Sequence, residues 1–364
     1  MNSTPTMTTP TTSLAAVFTQ PNHPLELRNL SLPPLAAGEA LVRITCCTIC
    51  GSDLHTFTGA RSSPAPSVLG HEILGIVESV SDNVTDVAGK AIKTGDRITW
   101  SVAASCGTCE RCDRRMPQKC ESLFKYGHEL CGDGAELNGG LAEHCVLKPG
   151  TAIVRLPDQL PDTVACPVNC ATATVAAAFA AAVRQDESLR DRRVLIYGAG
   201  MLGLTSVAFA KVAGAANVTV CDVSETRREL ATKFGATNSC AEVTADDFDC
   251  VFEMSGHPAA VHSAINAAGI GGRIVLVGSV SPSPPVNVDP ERIVRRLLSI
   301  HGVHNYAPKD LQTAVNFLTE HHADFPFATL VEASYSLNDV NDAFQYAVQQ
   351  RPIRVAVRQA GESC

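Results

Sequence analysis

Four cysteines in the first third of the chain have the spacing of a metal site. Cys106, Cys109, Cys112 and Cys120 form the pattern C-x2-C-x2-C-x7-C. Four thiolates so close together can surround one tetrahedral zinc ion and leave no coordination position open, which makes the metal structural. The alternatives are disulfides, free thiols or an iron–sulfur cluster. In ferredoxins, however, the fourth cysteine comes sooner and precedes proline, whereas here it precedes Glu121.

A glycine-rich segment near the middle of the chain predicts a dinucleotide site. Residues 198–203 read G-A-G-M-L-G and match the G-x-G-x-x-G pattern between a strand-like and a helix-like run, which is the context the motif requires. Gly198 would allow the tight turn, Gly200 the approach of the pyrophosphate, and Gly203 the packing of helix on strand. Met201 and Leu202 would open the helix whose N-terminus faces the phosphates.

A carboxylate predicts which coenzyme binds there. Asp222 ends the next predicted strand, nineteen residues after Gly203. It can accept hydrogen bonds from the adenosine ribose and would repel a 2′-phosphate, so NAD is favoured over NADP. Arg227 and Arg228 follow about a helical turn later, where they either soften this preference or lie on a solvated helix face.

The elements that must position these residues fall into two blocks. Short runs rich in Val, Ile and Thr in residues 14–100 predict an all-β unit, with strands at 39–44, 72–80 and 96–100. Residues 101–150 show little periodicity and predict a long lobe or loop, which a bound metal would hold together.

From Arg193 onward, strand and helix patterns alternate, which predicts βαβ units and a parallel sheet. The predicted strands are 194–197, 217–222, 249–253 and 273–280, and the predicted helices are 202–213, 224–234 and 259–268. A final helix-and-strand segment ends at 353–357.

The composition fits a folded protein of two domains. The 364 residues are 45% hydrophobic and 18% charged, and two domains of ordinary size suit this length. The net charge of −8 argues against nucleic acid or an anionic membrane as the main partner. The sequence contains no apolar run of the roughly 18 residues that a membrane span needs.

Residues 1–13 contain Thr, Ser and Pro but no Lys or Arg. Export and mitochondrial signals need basic residues, so this segment predicts a disordered tail on a cytoplasmic protein. The fifteen cysteines agree with that location, because clustered cysteines in a reducing compartment bind metal more often than they form disulfides.

Three dispersed residues could form a second metal site with one open position, as catalytic zinc sites have. They are Cys50, His71 and Cys170. Taken singly, a cysteine is more often a small core residue and a histidine a satisfied polar group. Cys47 could form a redox pair with Cys50, and Cys166 could replace Cys170, so the residues alone leave this site open.

In combination, these motifs resemble the zinc-dependent medium-chain dehydrogenases, the family of the alcohol dehydrogenases, from about residue 14 to residue 357. The matching parts are Cys50-Gly51-Ser52-Asp53, Gly70-His71-Glu72, the four-cysteine lobe, Cys170 with Thr174, and the glycine turn. The resemblance implies a GroES-like β-rich catalytic domain, residues 14–165 and 304–364, with the zinc lobe at 101–125. It also implies an inserted Rossmann domain with a doubly wound parallel sheet, residues 166–303, NAD in the cleft between the domains, and a homo-oligomer, either a dimer or a tetramer.

The resemblance assigns a role to each matching residue around the open site. Cys50, His71 and Cys170 would hold a catalytic zinc ion, the second of two per chain. Asp53 would orient the His71 ring, as carboxylates beside metal-bound histidines do, and Glu72 would lie beside the metal.

Other matching residues would handle the proton and the coenzyme. Ser52 would take the proton of the alcohol while hydride passes to NAD, His55 would be the outer end of the proton relay, and Thr174 would pack behind the nicotinamide. The Gly-Ser-Asp sequence after Cys50 and the position of Thr174 favour Cys50 and Cys170 over their cysteine neighbours.

The segments 123–129 and 353–357 resemble a subgroup of the family proposed to act in phosphonate catabolism. A phosphonate-bearing alcohol would need cations at the cleft, and Arg61, Lys125 and His128 are the candidates. A polyol or an ordinary alcohol is the alternative substrate. Two other functions remain as alternatives, an NADP-linked enone or quinone reductase and a non-catalytic protein that binds zinc and NAD.

Overall fold

The computed structural model describes residues 11–132, 135–183 and 188–359. Its first part is rich in strands because β-branched runs alternate there with Gly and Pro. The strands are β1 (Thr12–Phe18), β2 (Glu26–Ser31), β3 (Ala40–Thr48), β4 (Ser67–Val68), β5 (Glu72–Val80), β6 (Arg97–Ala104), β7 (Phe124–Lys125), β8 (His144–Leu147) and β9 (Thr151–Arg155). The helices are α1 (Gly51–Phe57), α2 (Glu110–Asp113) and α3 (Asp162–Ala165), and 3₁₀ turns lie at Pro117–Lys119 and Cys166–Asn169.

A parallel sheet forms the middle of the chain. Its elements are α4 (Ala171–Ala182), β10 (Arg193–Tyr197), α5 (Met201–Val212), β11 (Asn217–Cys221), α6 (Glu225–Lys233), β12 (Asn238–Cys240), β13 (Phe248–Glu253), α7 (Pro258–Ala267), β14 (Ala268–Leu276), α8 (Pro290–Arg296) and β15 (Ser299–Gly302). The strand order is β12-β11-β10-β13-β14-β15. The order therefore reverses between β10 and β13, and ligands of such doubly wound sheets bind beyond the carboxyl ends of the strands at this point.

The chain then returns to the first sheet. It adds α9 (Pro308–His321), β16 (Val331–Ser336), α10 (Val340–Gln350) and β17 (Arg354–Arg358), with 3₁₀ turns at Phe327–Thr329 and Leu337–Asp339. The larger sheet has the order β16-β17-β3-β5-β6-β7, with β8 beside β3 and β9 beside β6, and a smaller sheet has the order β2-β1-β4. The predicted combination of a β-rich unit with a doubly wound parallel sheet is confirmed.

One strand prediction was wrong. The strand predicted at 273–280 runs from Ala268 to Leu276, and the helix before it ends at Ala267. Gly269, Gly271 and Gly272 look like turn residues in the sequence, but they belong to the strand, where the pairing with β13 shifts register. A bulge of this kind tolerates glycine inside a strand.

The ends of the β-rich part also differ from the prediction. The segment 101–150 is less irregular than expected, because β6 continues to Ala104 and β8 occupies 144–147. Most of the predicted tail, residues 1–10, lies outside the described residues, but Thr12 and Ser13 already belong to β1. Among the described residues no single helix is long and apolar enough to span a membrane, and only the bent pair 162–169 and 171–182 meets the length and composition criteria jointly.

A continuous apolar core joins the two sheets, from Leu74 and Val102 of the first sheet to Val275 of the second. Tyr306 is buried at this junction. Its hydroxyl accepts a hydrogen bond from the Val102 N–H at 3.1 Å and donates one to the carbonyl of Asn169. The hydroxyl therefore ties β6 to the turn that leads into α4.

We expect Tyr306→Phe to lower the free energy of unfolding by about 1–3 kcal/mol, because it leaves a buried N–H and a buried carbonyl without this partner. Denaturant titration would measure the loss. Tyr335→Phe is the matched control, since the half-buried Tyr335 hydroxyl makes no hydrogen bond to the described residues. Equal stability of the two variants would contradict the assigned role of the Tyr306 hydroxyl.

Candidate metal and coenzyme sites

The four cysteines of the lobe converge on one point. Their Sγ atoms all lie within 4.8 Å of one another. Cys106 and Cys120 are 3.4 Å apart, Cys109 and Cys112 are 3.5 Å apart, and Cys109 and Cys120 are 3.9 Å apart. Zinc–sulfur bonds of about 2.3 Å in a tetrahedron separate the sulfurs by roughly 3.8 Å. The arrangement therefore fits a single zinc ion.

Backbone N–H groups of the lobe hold its cysteine sulfurs in place. The N–H groups of Cys106 and Ser122 donate to Cys120 Sγ at 3.2 Å and 3.4 Å. A hydrogen bond from the Thr108 backbone, assisted by Cys120, lowers the pKa of Cys106 to about 6.

The three dispersed ligands also meet. Cys50 directly precedes α1, His71 directly precedes β5 and Cys170 directly precedes α4, so each stands at the start of an element. The two Sγ atoms and a ring nitrogen of His71 lie within 4.8 Å of one another. Two thiols and an imidazole suit zinc, and three protein ligands leave one coordination position open.

Asp53, almost fully buried, orients the His71 ring. Its Oδ1 lies 3.2 Å from Nδ1 of His71, but the alignment is that of an ion pair and not of a well-directed hydrogen bond. The same carboxylate accepts hydrogen bonds from the N–H groups of Cys50 and Gly70 at 2.9 Å and 3.2 Å. Burial opposes the charged imidazole, but Asp53 and Cys50 together outweigh it and raise the pKa of His71 to about 10. Nε2 remains on the side of the thiols.

The two thiols of this site differ in the direction of their pKa shifts. A hydrogen bond from Cys170 lowers the pKa of Cys50, against the effect of burial and with help from Arg354, whose Nη2 is 3.7 Å from Cys50 Sγ. The same contact with Cys50, together with burial, raises the pKa of Cys170. The contact between the two thiols therefore shifts their pKa values in opposite directions.

A buried ion pair beside the ligands was missed by the sequence analysis. Glu72 is fully buried, and its two carboxylate oxygens accept hydrogen bonds from Nε and Nη2 of Arg354, both at 2.7 Å. The Thr48 hydroxyl donates to the same carboxylate at 2.6 Å. Arg354 of β17 and Thr48 of β3 thus hold the Glu72 side chain. In this arrangement the guanidinium of Arg354 balances the charge of the carboxylate. A charged residue inside the apolar run 353–357 is the signal in the sequence that could have identified Arg354.

Asn169 was also missed. Its amide nitrogen donates to the carbonyls of His71 at 3.0 Å and Trp100 at 2.8 Å, and its Oδ1 accepts the Ile73 N–H at 3.2 Å. This fully buried amide, in the residue before Cys170, therefore joins the backbone that follows His71 to that of β6. No local pattern marks an asparagine for such a role.

The predicted proton-handling residues lie on or near α1. The Ser52 hydroxyl is 3.2 Å from Nε2 of His71. His55 is exposed one turn further along α1, and its ring makes no hydrogen bond to the described residues. Thr174 is half-buried one turn into α4, and its N–H donates to the carbonyl of Cys170.

The competing cysteines stand apart from the ligand set. Cys47 is fully buried in β3, where its Sγ contacts the Thr48 carbonyl at 3.8 Å. Cys166 is also fully buried, and its thiol donates to the carbonyls of Cys46 and Glu72 at 3.3 Å and 3.1 Å. Neither belongs to the group formed by Cys50, His71 and Cys170.

The glycine turn follows β10 and opens α5, as predicted. Gly198 has φ of +92°, and a Cβ atom on Gly203 would lie 1.8 Å from the Gly198 carbonyl oxygen. Both positions therefore require glycine. Gly200 is the N-cap of α5, where Met201 is buried and Leu202 is half-buried. The free N–H groups at this end can bind phosphate oxygens.

Asp222 and Arg227 flank the turn. Asp222 accepts hydrogen bonds from the N–H groups of Ala199 at 2.7 Å and Ser224 at 2.8 Å, and it lines a cavity of about 410 Å³ with Gly198. Arg227 is half-buried and donates to the Arg351 carbonyl at 3.2 Å. Arg227 therefore contacts the segment after α10, and its role towards the coenzyme stays a prediction.

The three candidate cations lie near the open metal site. The His128 and His71 rings are 5.1 Å apart. Burial, and then Arg61, lower the pKa of Lys125, whereas the charges of Cys170 and Cys50 raise it. The backbone N–H of Arg61 donates to the His55 carbonyl at 3.0 Å, directly after α1.

Comparison with known proteins agrees with this geometry. Residues 36–158 match the family described as alcohol dehydrogenase GroES-like domain, and residues 202–320 match the zinc-binding dehydrogenase family. An L-threonine 3-dehydrogenase of Streptomyces coelicolor is 31% identical over 345 residues, which are 90% of this chain and 94% of that protein.

Solved structures share the whole architecture. An alcohol dehydrogenase of Thermotoga maritima has a TM-score of 0.89 at 26% identity, over 96% of this chain and 99% of that one. An alcohol dehydrogenase of Escherichia coli, solved with NADH, has a TM-score of 0.81 at 25% identity, over 96% of this chain and all of that one (100%). The chain is thus an oxidoreductase of the alcohol dehydrogenase type. It belongs to the zinc-dependent medium-chain dehydrogenase family.

We expect Arg354→Met to cost about 3–5 kcal/mol of stability, because it leaves the buried Glu72 carboxylate without its cation. Burial raises the pKa of Glu72, and Arg354 opposes this rise. In the variant the folded carboxyl binds its proton more tightly than the unfolded one, so stability falls as pH rises above the ordinary carboxyl range.

Denaturant titrations at pH 5 and pH 8 would check this, with the larger loss expected at pH 8. Arg295→Met is the matched control, because Arg295 forms an exposed pair with Glu291 at 3.0 Å, and such pairs contribute little. A loss that is small or independent of pH would contradict the role of Arg354.

Proposed function

We propose that this protein is a zinc-dependent alcohol dehydrogenase that transfers a hydride between an alcohol and NAD. One observation carries the proposal: the Ser52 hydroxyl lies 3.2 Å from Nε2 of His71, the ring nitrogen on the side of the two thiols. A proton acceptor thus stands beside a three-residue metal site with an open position. This is the arrangement that removal of an alcohol proton needs.

We propose two zinc ions per chain, one in the lobe and one at the open site. At Cys50, His71 and Cys170, zinc would act as a Lewis acid that lowers the pKa of the alcohol hydroxyl. The surrounding residues orient the ligand and accept the proton. Asp53 fixes the His71 ring, and Ser52 receives the proton.

We assign the outer end of the proton path to His55, because it is the exposed histidine on the helix that carries Ser52. We assign Thr174 to the face behind the nicotinamide, because it lies one turn after Cys170 on α4. In this assignment His55 carries the proton and Thr174 positions the coenzyme, while the hydride chemistry belongs to the coenzyme.

NAD is the proposed coenzyme. Asp222 supports this choice, because its carboxylate lies at the end of β11 beside the glycine turn and would repel a 2′-phosphate. The family relative from Escherichia coli solved with NADH agrees with it. Arg227 lies near Gly200 and is proposed to contact the coenzyme.

The alternative functions leave parts of the site without a use. An NADP-linked enone or quinone reductase needs neither the lobe cysteines nor the three-residue metal site. A non-catalytic protein that binds zinc and NAD needs no hydroxyl at Ser52 next to the metal ligands. For the substrate we propose an alcohol with an anionic group, such as the phosphonate-bearing alcohol predicted from the sequence, because a polyol would leave the charges of Arg61 and Lys125 unused.

We also propose the domain bounds, the oligomeric state and the location of the protein. The domain bounds are 14–165 with 304–364 and 166–303, with the first extended to Thr12 by β1. A homo-oligomer, a dimer or a tetramer, is favoured because β15 is an edge strand with exposed Val294 and Leu297 nearby. The cytoplasm is favoured because thiol ligands need a reducing compartment.

The function is tested by NAD⁺ reduction on zinc-loaded protein across neutral alcohols, polyols and hydroxyalkylphosphonates. We expect NADH formation with at least one of these substrates. Failure with all of them in fully metallated protein would contradict the proposal and favour a binding protein.

Single substitutions distinguish the roles of the two proposed metal sites. We expect Cys50→Ala to lose one zinc ion and turnover while NAD binding and folding persist, because only the open site is lost. We expect Cys109→Ala to lose the other zinc ion and to lower the unfolding temperature, because the lobe loses the metal that holds it together. Metal analysis, NADH titration and thermal unfolding would measure this. Near-normal turnover in Cys50→Ala without its zinc ion would refute the catalytic assignment.

Coenzyme choice depends on Asp222. We expect Asp222→Ser to reduce the ratio of kcat/KM for NAD to that for NADP by about tenfold or more, because the carboxylate that binds ribose and repels the 2′-phosphate is removed. Steady-state kinetics with both coenzymes would measure the ratio. Asp249→Ser, in β13 and away from the turn, is the control, and an unchanged ratio in Asp222→Ser would remove the support for NAD.

A further inference from the structure

Two cysteines lie opposite each other at the carboxyl end of the parallel sheet. Cys221 is the last residue of β11 and Cys240 is the last residue of β12, and the two are partners in the parallel pairing of these strands. Paired residues of neighbouring parallel strands point to the same face of the sheet. The two side chains therefore share one face, and both are free thiols.

Each thiol contacts the backbone of the other strand. Sγ of Cys221 lies 3.5 Å from the carbonyl oxygen of Ala241, the residue after Cys240. Sγ of Cys240 lies 3.9 Å from the carbonyl oxygen of Val220, the residue before Cys221. Burial, and then the interaction with Cys240, raise the pKa of Cys221 to about 12. The two side chains are therefore close enough to affect each other directly.

The spacing of the strands permits a disulfide between these residues. Neighbouring strands lie about 4.8 Å apart, and the Cα atoms of a disulfide are separated by about 4.4–6.8 Å. The strand that carries Cys240 contains three residues, Asn238–Cys240, and it is an edge strand of the sheet. It can therefore make the small movement that an S–S bond requires without displacing a further strand.

The backbone of the same two residues holds the proposed coenzyme site. The Cys221 carbonyl accepts the N–H of Gly198 at 2.8 Å, and the Cys240 carbonyl accepts the N–H of Asp222 at 3.1 Å. The Asp222 carboxylate in turn accepts the N–H of Ala199 at 2.7 Å. A movement of β12 is therefore transmitted to the carboxylate and to the glycine turn through no more than two hydrogen bonds.

Both thiols adjoin cavities that a small reagent can enter. Cys221 lines the cavity of about 410 Å³ that Asp222 also lines. Cys240 is half-buried and lines a second cavity of about 400 Å³. The two cavities share Glu242 and Val243. Because Cys240 is the more exposed of the two residues, a small oxidant reaches its thiol first.

We propose that Cys221 and Cys240 form a site of reversible oxidation by a small peroxide, and that the resulting disulfide weakens coenzyme binding. The inference rests on the proposed binding of NAD beside Asp222. In a reducing compartment most thiols stay reduced, and the disulfides that do form there are transient or redox-sensing. The pair thus lowers dehydrogenase activity while peroxide is abundant and restores it when thiol reductants return.

The oxidation proceeds in two steps. In the first step the Cys240 thiolate attacks one peroxide oxygen, an S–O bond forms and the O–O bond breaks. The leaving hydroxide takes up the proton that the thiol released and becomes water. In the second step the sulfur of Cys221 attacks Sγ of the sulfenic acid, an S–S bond forms and the S–O bond breaks. The proton of the Cys221 thiol leaves with the hydroxide as a second water molecule, so two thiols lose two electrons and one peroxide gains them.

The first test locates the disulfide in the intact, zinc-loaded protein. The protein is treated with hydrogen peroxide, its remaining thiols are blocked, and it is digested with trypsin without reduction. Trypsin isolates Cys221 in the peptide 212–227, whereas Cys240 shares the peptide 234–273 with Cys250. We expect these two peptides to be linked through Cys240, as assigned by fragmentation in the mass spectrometer, and to separate after treatment with dithiothreitol. A link to Cys250, or no linked pair, overturns the proposal.

The second test measures coenzyme binding by NADH fluorescence titration before and after oxidation. We expect the Kd of the wild type for NADH to rise by about tenfold on oxidation, since one hydrogen bond to a charged group is worth about that factor, and to recover with dithiothreitol. We expect Cys240→Ser to have the same Kd before and after peroxide, because its disulfide cannot form.

The matched control is Cys131→Ser, which removes another half-buried free thiol. We expect this variant to respond to peroxide like the wild type. If the Kd of Cys240→Ser rises on oxidation as much as that of the wild type, the effect comes from other thiols, such as the proposed metal ligands, and the proposal is overturned.

The outcomes separate this inference from the proposed function. If the reduced protein does not bind NADH but the linked peptides form, the coenzyme assignment is wrong and the oxidation site stands. If NADH binds equally well to the reduced and the oxidised wild type, the inferred regulation is wrong and the proposed function stands.

Discussion

The buried pair between Glu72 and Arg354 is the constraint on which the rest of the site depends. Taking a carboxylate and a guanidinium out of water costs several kcal/mol for each ion, and only close pairing with further hydrogen bonds offsets that cost. The pair therefore requires β17 to lie beside β3, with Ala356 opposite Thr48, and β5 on the other side of β3. Those three strands place Cys50 and His71 at one end of the sheet. The charge of Arg354 then reaches the Cys50 thiol, so a single contact sets both the strand arrangement and the electrostatics of a metal ligand.

Cys170 is linked to Cys50 and His71 through buried polar groups rather than through ion pairs. Asn169 binds the backbone around His71, and its own carbonyl accepts from Tyr306. Cys170 follows at once as the N-cap of α4, which packs against α5, α9 and β14. The third metal ligand is thus carried by the helix that also leads to the coenzyme turn. A displacement of the parallel sheet would move Cys170 relative to Cys50 and His71. The shape of the cleft and the geometry of the proposed metal site would therefore change together.

Local features were predictable from the sequence, and long-range ones were not. The lobe cysteines and the glycine turn each fall within fifteen consecutive residues, so their spacing alone reports their geometry. The dispersed ligands Cys50, His71 and Cys170 needed the family resemblance, because spacing carries no information across 120 residues of chain. The roles of Arg354 and Asn169 were missed because their partners, Glu72 and His71, are 282 and 98 residues away in the sequence. The strand at 268–276 was misplaced because its glycines look like a turn, and only the neighbouring strand shows that they continue the sheet.

The short span of the lobe has a consequence for how the molecule is assembled. Its four ligands are complete as soon as Cys120 has been synthesised, and closing so small a loop costs little chain entropy. With the proposed zinc ion, the lobe would be able to bind its metal while the rest of the chain is still being synthesised. The open site can form only after Cys170 has been made, and Glu72 has no counter-ion until Arg354 follows. On the proposed assignment of two zinc ions, metal delivery would divide into an early event that is local and a late event that follows completed folding.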